Sequence, residues 1–209
     1  MAIPEPESGL WQDVRPRTEW PATDELIMQD LGALEDSGWS PLNSATGRIT
    51  YIRSEGPDIG DQVVTDRAGL LDRAALTGAR QFTFQLWNGG DDEILVHLRH
   101  VGGGLYSSEV DLHGMAEEER DDVIRVMIGH VRSNLDTTAG FVLDQWGGSL
   151  ELDWDAIVQG EPAPVAIVPE LVALPERVMA DHPELLELPH RQLGEHLVAT
   201  GYLRYLDVP

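Results

Sequence analysis

The chain has 209 residues, 37 acidic against 14 basic, for a formal charge of −23, with no cysteine and no lysine. The charge excludes binding to a nucleic-acid backbone or an anionic membrane surface, since both need cations to displace counterions. Without cysteine there is no disulfide, thiol nucleophile or thiolate metal site, and without lysine no Walker A loop and no Schiff-base chemistry.

Residues 1–22 hold prolines 4, 6, 16 and 21 with Trp11 and Trp20, the composition of an irregular N-terminal arm. Glu5, Glu7 and Asp13 occupy the place where a secretory signal would be apolar, and no window approaches the ~18 apolar residues of a membrane span. The expected location is therefore the cytoplasm. Ile27, Leu31 and Leu34 share one helical face within residues 23–37, and Gly38 suits the position after the helix. A strand follows at 48–53, a loop at 56–61, and a helix capped by Asp66 and running to Gly78.

The middle of the chain carries the clearest pattern. From Gln81 to Trp87, Phe82, Phe84 and Leu86 alternate with Gln81, Thr83, Gln85 and Trp87, the mark of a half-buried strand. Asn88-Gly89-Gly90 predicts a hairpin turn, residues 94–101 the returning strand, and Gly102-Gly103-Gly104 a second turn into residues 105–112. Glu117, Glu118 and Glu119 then suit the first turn of a helix through Ser133, with Val123, Met127 and His130 beside Ile124, Ile128 and Val131 on a wide apolar face. Residues 141–146 read as a strand and the acidic stretch 151–160 as a short helix. Pro162, Pro164 and Pro169 mark a linker or an edge segment. Helices at 175–181 and 189–200 would start at Pro175 and Pro189 and stop at Gly201, with Tyr202, Leu203 and Tyr205 docking the tail. The expectation is an α+β fold: an antiparallel sheet of four to six strands, built from a three-strand meander plus flanking strands, packed with helices and ending in a small helical C-terminal appendage. The expected organisation is an arm (1–22), an α+β domain (23–160), and a proline-rich linker with a helical tail packed on that domain (161–209).

Candidate chemistry is sparse. His97 and His100 are three apart in a strand, so they face opposite sides and cannot share a metal without a bulge. His130 on an apolar helix face reads as a core or half-core histidine with one hydrogen-bond partner. His190 and His196 are six apart, not the four of a helical zinc motif. Asp91-Asp92-Glu93 lacks the spacing of a calcium loop. Glu151-x-Asp153-x-Asp155 would line one face if it were a strand, where it could hold a cation or meet a basic protein. There is no G-x-S-x-G nucleophile and no G-x-G-x-x-G phosphate loop. No catalytic residue, metal ligand or cofactor is assigned. Trp87 beside the acidic hairpin and Trp154 within E-L-D-W-D combine aromatic and acidic groups suited to a basic protein surface. The expected partner-binding set is Trp87, Asp91, Asp92, Glu93, Asp153, Trp154 and Asp155.

The stretch from Gln81 to Trp146, with W-D-A-I-V-Q-G-E at 154–161 and L-P-E-R-V-M-A-D-H-P-E-L at 174–185, resembles small actinobacterial immunity proteins encoded beside polymorphic toxins. The resemblance implies a non-enzymatic protein that sequesters a basic toxin, with a nuclease-like toxin fitting the charge. The helix–meander–helix order is also similar to secretion chaperones, which implies a binding protein that holds a client segment. A metal-assisted hydrolase using His97, His100 or the acids at 151–155 is the enzymatic alternative. A bland use of the acidity for solubility is the competing explanation of the charge.

Overall fold

The computed structural model describes residues 10–16, 22–55, 58–75, 81–89, 93–102, 105–145, 147–149 and 151–201, giving backbone alone for 10–16, 22–26 and 102. Gly78, Gly90, Asp91, Asp92, Gly103, Gly104, Trp146, Tyr202, Leu203 and Tyr205, and the tryptophans of the predicted arm as side chains, lie outside that description.

Alternation builds the centre as predicted. Strands β5 (Gln81–Trp87), β6 (Glu93–Gly102) and β7 (Leu105–Asp111) form an antiparallel meander, with Thr83 opposite His97 and His97 opposite Glu109. Phe82, Phe84, Leu86, Ile94, Val96, Leu98, Tyr106 and Val110 are buried on one face. Helices α1 (Ala22–Asp36), α2 (Arg67–Ala74) and α3 (Glu117–Ser133) cover that face through Ile27, Leu31, Leu34, Leu70, Ala74, Val123, Ile124 and Met127. Asp66 caps α2 by accepting from the Gly69 N–H at 2.7 Å. His130 is half-buried between the helices and has two ring contacts rather than the expected one: its Nε2 lies 2.8 Å from Asp30 Oδ1, tying α3 to α1, and its Nδ1 lies 3.4 Å from Asn134 Nδ2.

The sheet is larger than the expected four to six strands. Its order is β10-β11-β9-β8-β1-β7-β6-β5-β3, with β2 (Leu42–Asn43) and β4 (Gln62–Thr65) both pairing with β3 (Arg48–Ile52), and every pairing is antiparallel. The predicted irregular arm contributes β1 (Leu10–Pro16), inserted in the middle between β7 and β8 (Gly140–Asp144). Pro16 is tolerated because it ends the strand. The 189–200 helix is also corrected. Those residues form a hairpin of β10 (His190–Leu193) and β11 (His196–Thr200), turning at Gly194 with φ +59°, a conformation that excludes a continuous helix and favours glycine. The proline-rich stretch leads into β9 (Leu171–Pro175), which lies between β8 and β11. Helices near the tail are single turns, α5 (Glu176–Met179) and α6 (Pro183–Leu186).

Strands β8 and β9 are buried on both sides, which explains their continuous apolar sequence. Phe141, Leu143, Leu171 and Ala173 extend the core under α3. On the opposite face Val142, Val172, Leu174 and Ala199 join a second core with Ile157 and Val158 of α4 (Trp154–Gln159), Val178, Met179 and Leu185. Gly140 permits the close approach of α4: an added Cβ would lie 2.8 Å from Val158 Cγ2 and 3.0 Å from Leu174 Cδ2. Helices therefore cover one face of the meander and both faces of the β8–β9 region. Among the described residues no helix packs over the other face of the meander, which is half-buried to exposed except at Gln85 and Ser107.

Candidate functional site: the open face of the meander

The open face is made by the alternate residues of β5–β7: Gln81, Thr83, Gln85 and Trp87, then Glu93, Leu95, His97 and Arg99, then Ser107, Glu109 and Asp111. These side chains fasten to one another across the strands. Thr50 Oγ1 donates to Gln85 Oε1 at 2.6 Å, and Gln85 Nε2 donates to Glu93 Oε2. Thr83 Oγ1 lies 2.9 Å from His97 Nδ1, and Ser107 Oγ donates to Glu109 at 3.3 Å. The floor is thus preorganised and polar, at little further entropic cost to a partner.

Arg99 anchors one end. Its Nε donates to Glu109 Oε1 at 2.7 Å, while Nη1 and Nη2 clasp both oxygens of Asp155, Nη2 to Oδ1 at 2.7 Å. Asp155 belongs to α4, so the clasp joins the floor of the face to a helical wall. Burial opposes the charge of Arg99, but the two carboxylates more than offset it and hold the guanidinium pKa above its ordinary value. Arg99 is the one arginine that β5–β7 place on this face, and it is paired with Glu109 and Asp155; Glu93 and Asp111 share the face, and the neighbouring β3 adds the exposed Arg48 beside Thr50.

The expected interface residues separate in space. Trp87 lies on the open face, with its main chain paired to Ser40 in both directions at 2.8 Å. Its Nε1 is buried without a hydrogen bond. Glu93 is its exposed cross-strand neighbour. Asp91 and Asp92 of the same hairpin fall outside the described residues. Asp153 is exposed and caps α4 by accepting from the Ala156 N–H at 3.0 Å. Trp154 is not on the surface: it is 4% exposed, and its Nε1 donates to the Ser149 carbonyl at 3.2 Å. The 151–155 stretch is a turn entering a helix, so its three acids do not line a strand face. The sequence reading missed Arg99 and Glu109. Strict alternation already put Arg99 on the polar face, but the Asp155 contact, 56 positions away, has no local signal.

The histidines do not assemble a metal site. His97 is on the open face, whereas His100 sits opposite Tyr106, whose side is the helix-covered one. Among the described residues no three His, Cys, Asp or Glu side chains converge so as to hold a metal. A separate acidic cleft of about 680 Å³ lies by α5 and α6, lined by Glu161, Asp181, His182 and Glu184. Main-chain N–H groups of Glu184 itself and of Val165 lower the Glu184 carboxyl below its ordinary range, against the opposing effect of burial.

No family of known proteins matches this chain, and no curated protein matches it. Among solved structures it is similar to "Pseudomonas aeruginosa T6SS protein PA0821", at 13% identity and a TM-score of 0.43, over 92% of this chain and 68% of that one. No helix among the described residues is long and apolar enough to cross a membrane.

Proposed function

We propose that this chain is a non-enzymatic acidic binding protein of the immunity or inhibitor type, which sequesters a basic protein partner on the open face of its meander. The observation that carries this reading is the hydrogen-bonded polar floor on which Arg99 is held by Glu109 and Asp155, while Glu93 and Asp111 add carboxylates to the same face. Trp87 and Glu93 at the hairpin end supply the aromatic and acidic pair suited to an arginine of the partner. Glu93, Asp91, Asp92 and Trp87 form the contact; Asp155 shapes it from the wall; Asp153 borders α4. Trp154 contributes packing only.

The test compares two charge reversals of equal size. One converts Asp91, Asp92 and Glu93 to Arg. The other converts Glu117, Glu118 and Asp121 on α3, at the helix-covered side. Each tagged protein is incubated with lysate of the native host and washed at low and then high salt. Loss of one basic partner with the hairpin variant alone supports the reading. Equal loss with both shows that binding follows net charge, and retention by the hairpin variant shows that the face is not the contact; either result refutes the proposal.

A further inference from the structure

The sheet ends at β10, and no described strand pairs with its outer side. Thr200 N–H donates to the Pro189 carbonyl at 3.0 Å, so residues 189 and 200 form a hydrogen-bonded antiparallel pair. Such pairs alternate along a ladder, so 191 with 198 and 193 with 196 also bond inward. The main-chain N–H and C=O groups of His190 and Gln192 therefore point outward, and both residues are exposed.

Beside this edge, on the α3 side, lies a shallow apolar dimple of about 30 Å³, lined by Val131, Leu135, Leu193 and Val198 and rimmed by Arg132 and Arg191. It has room for the tip of one aliphatic side chain. Arg191 differs from Arg53, Arg67, Arg99 and Arg125, each of which pairs with a carboxylate. Among the described residues Arg191 has no acidic partner, and its Nε is buried with no hydrogen bond. In a chain of net charge −23 this sets an arginine without an acidic partner beside an apolar dimple, along a sheet edge that no described strand covers.

We propose that β10 is a docking edge for an extended acidic–apolar segment of a partner protein, which adds as an antiparallel strand. Outward groups of His190 and Gln192 hydrogen-bond its main chain, and alternate side chains give specificity. Arg191 and Leu193 share the α3 side, so the segment carries an aliphatic residue opposite Leu193 and, two positions later, a carboxylate opposite Arg191. This surface is separate from the open meander face, and its partner has the opposite charge, so it stands or falls independently of the proposed function.

The probe is a fluorescein-labelled peptide, Thr-Val-Thr-Leu-Thr-Glu-Thr, with a control in which Arg replaces Glu. Net charge alone favours the Arg peptide, so preference for the Glu peptide is a local signature. Binding is read by fluorescence anisotropy with the full chain. The expected result is saturable binding of the Glu peptide, weakened about tenfold or more by Arg191→Glu and by Gln192→Pro; tenfold corresponds to about 1.4 kcal/mol. Gln192→Pro removes an outward N–H without breaking the β10–β11 ladder, and circular dichroism checks that both variants fold. Independently of any variant, amide resonances of His190 and Gln192 should shift most when the peptide is titrated into the wild-type protein. No saturable binding up to about 1 mM, equal or tighter binding of the Arg peptide, a smaller loss in both variants, or amide shifts centred elsewhere would each overturn the proposal. So would sedimentation showing β10 occupied by a second copy of the chain.

Discussion

Replacing Arg99 with Met tests the clasp at the centre of the site. The Arg99, Glu109 and Asp155 side chains are 29%, 15% and 25% exposed, so water screens them only in part. At an effective dielectric of about 20, unit charges 4 Å apart attract by about 4 kcal/mol. Desolvation of the guanidinium and of both carboxylates cancels much of that gain. What remains is asymmetric. Arg99→Met leaves Glu109 and Asp155, which share one cation, close together without it, and should cost about 2–4 kcal/mol. Asp155→Asn leaves Arg99 with Glu109 and should cost about 1–2 kcal/mol.

The assay is urea denaturation of wild type, both single variants and the double variant, read as a double-mutant cycle. The double variant should lose less than the sum of the singles, by about 1–2 kcal/mol, since Asp155→Asn also removes the repulsion that Arg99→Met exposes. For a chain of this length each kcal/mol shifts Tm by about 2–4 °C, so Arg99→Met should also melt about 4–16 °C lower. A coupling below about 0.5 kcal/mol, the additivity expected of independent sites, would refute the claim that the clasp fixes the α4 wall to the floor.

Three other outcomes follow from the structure. Buried His196 donates from Nε2 to the Thr138 carbonyl at 2.9 Å while its Nδ1 has no partner, and burial lowers its pKa below the ordinary 6.5, against the carbonyl's opposing effect. The unfolded chain then binds a proton that the folded chain does not, so stability is full above pH 6.5 and declines as pH falls from there through the folded pKa; Tm against pH should show this, and His196→Asn should flatten that part of the curve. Gly140→Ala places a methyl 2.8 Å from Val158 Cγ2 and should cost about 1–3 kcal/mol, with a less-than-additive loss when combined with Val158→Ala in chemical denaturation. Asp66→Ala removes the cap on the Gly69 N–H and should lower stability by about 1 kcal/mol, whereas Asp66→Asn should retain most of it.

What the sequence made legible follows the range of the interactions. The meander was readable because each strand alternates on its own and the turns carry glycine, so burial of Phe82, Phe84 and Leu86 needs no knowledge of distant residues. The polar face was readable for the same reason, including the place of Trp87. Strand β1 is hidden because its partner residues lie 89 to 101 positions away on β7 and 126 to 134 on β8, while the prolines around it suggest a loop locally. The β10–β11 hairpin is masked as a helix because Pro189 and Gly201 imitate helix boundaries; Gly194 and the run Leu197-Val198-Ala199-Thr200 are the competing strand signals. Trp154 looked exposed among acids, but Asp153 spends its carboxylate on the helix cap, and the next residue turns inward to Ser149. A charge run predicts solvent only when its charges have no structural work.

That distinction bears on the acidity as a whole. Asp66 and Asp153 cap helices, Glu109 and Asp155 hold Arg99, Glu35 holds Arg67, Asp30 meets His130, and Asp144 accepts from Ser149 and Gly148. These groups contribute to the net charge but their short-range bonding is committed to the fold. Long-range attraction of a basic partner depends on the total and is weakened by salt; the geometry of capture depends on the few carboxylates whose oxygens still face outward. On the open meander face the two roles meet, because the same floor that holds Arg99 with two carboxylates leaves Glu93 beside Trp87 at the hairpin end. Arg191 shows the converse at the far edge of the sheet: the sign of the whole chain does not set the sign of each surface, and a patch with its own uncompensated cation selects by local chemistry what the overall field would repel.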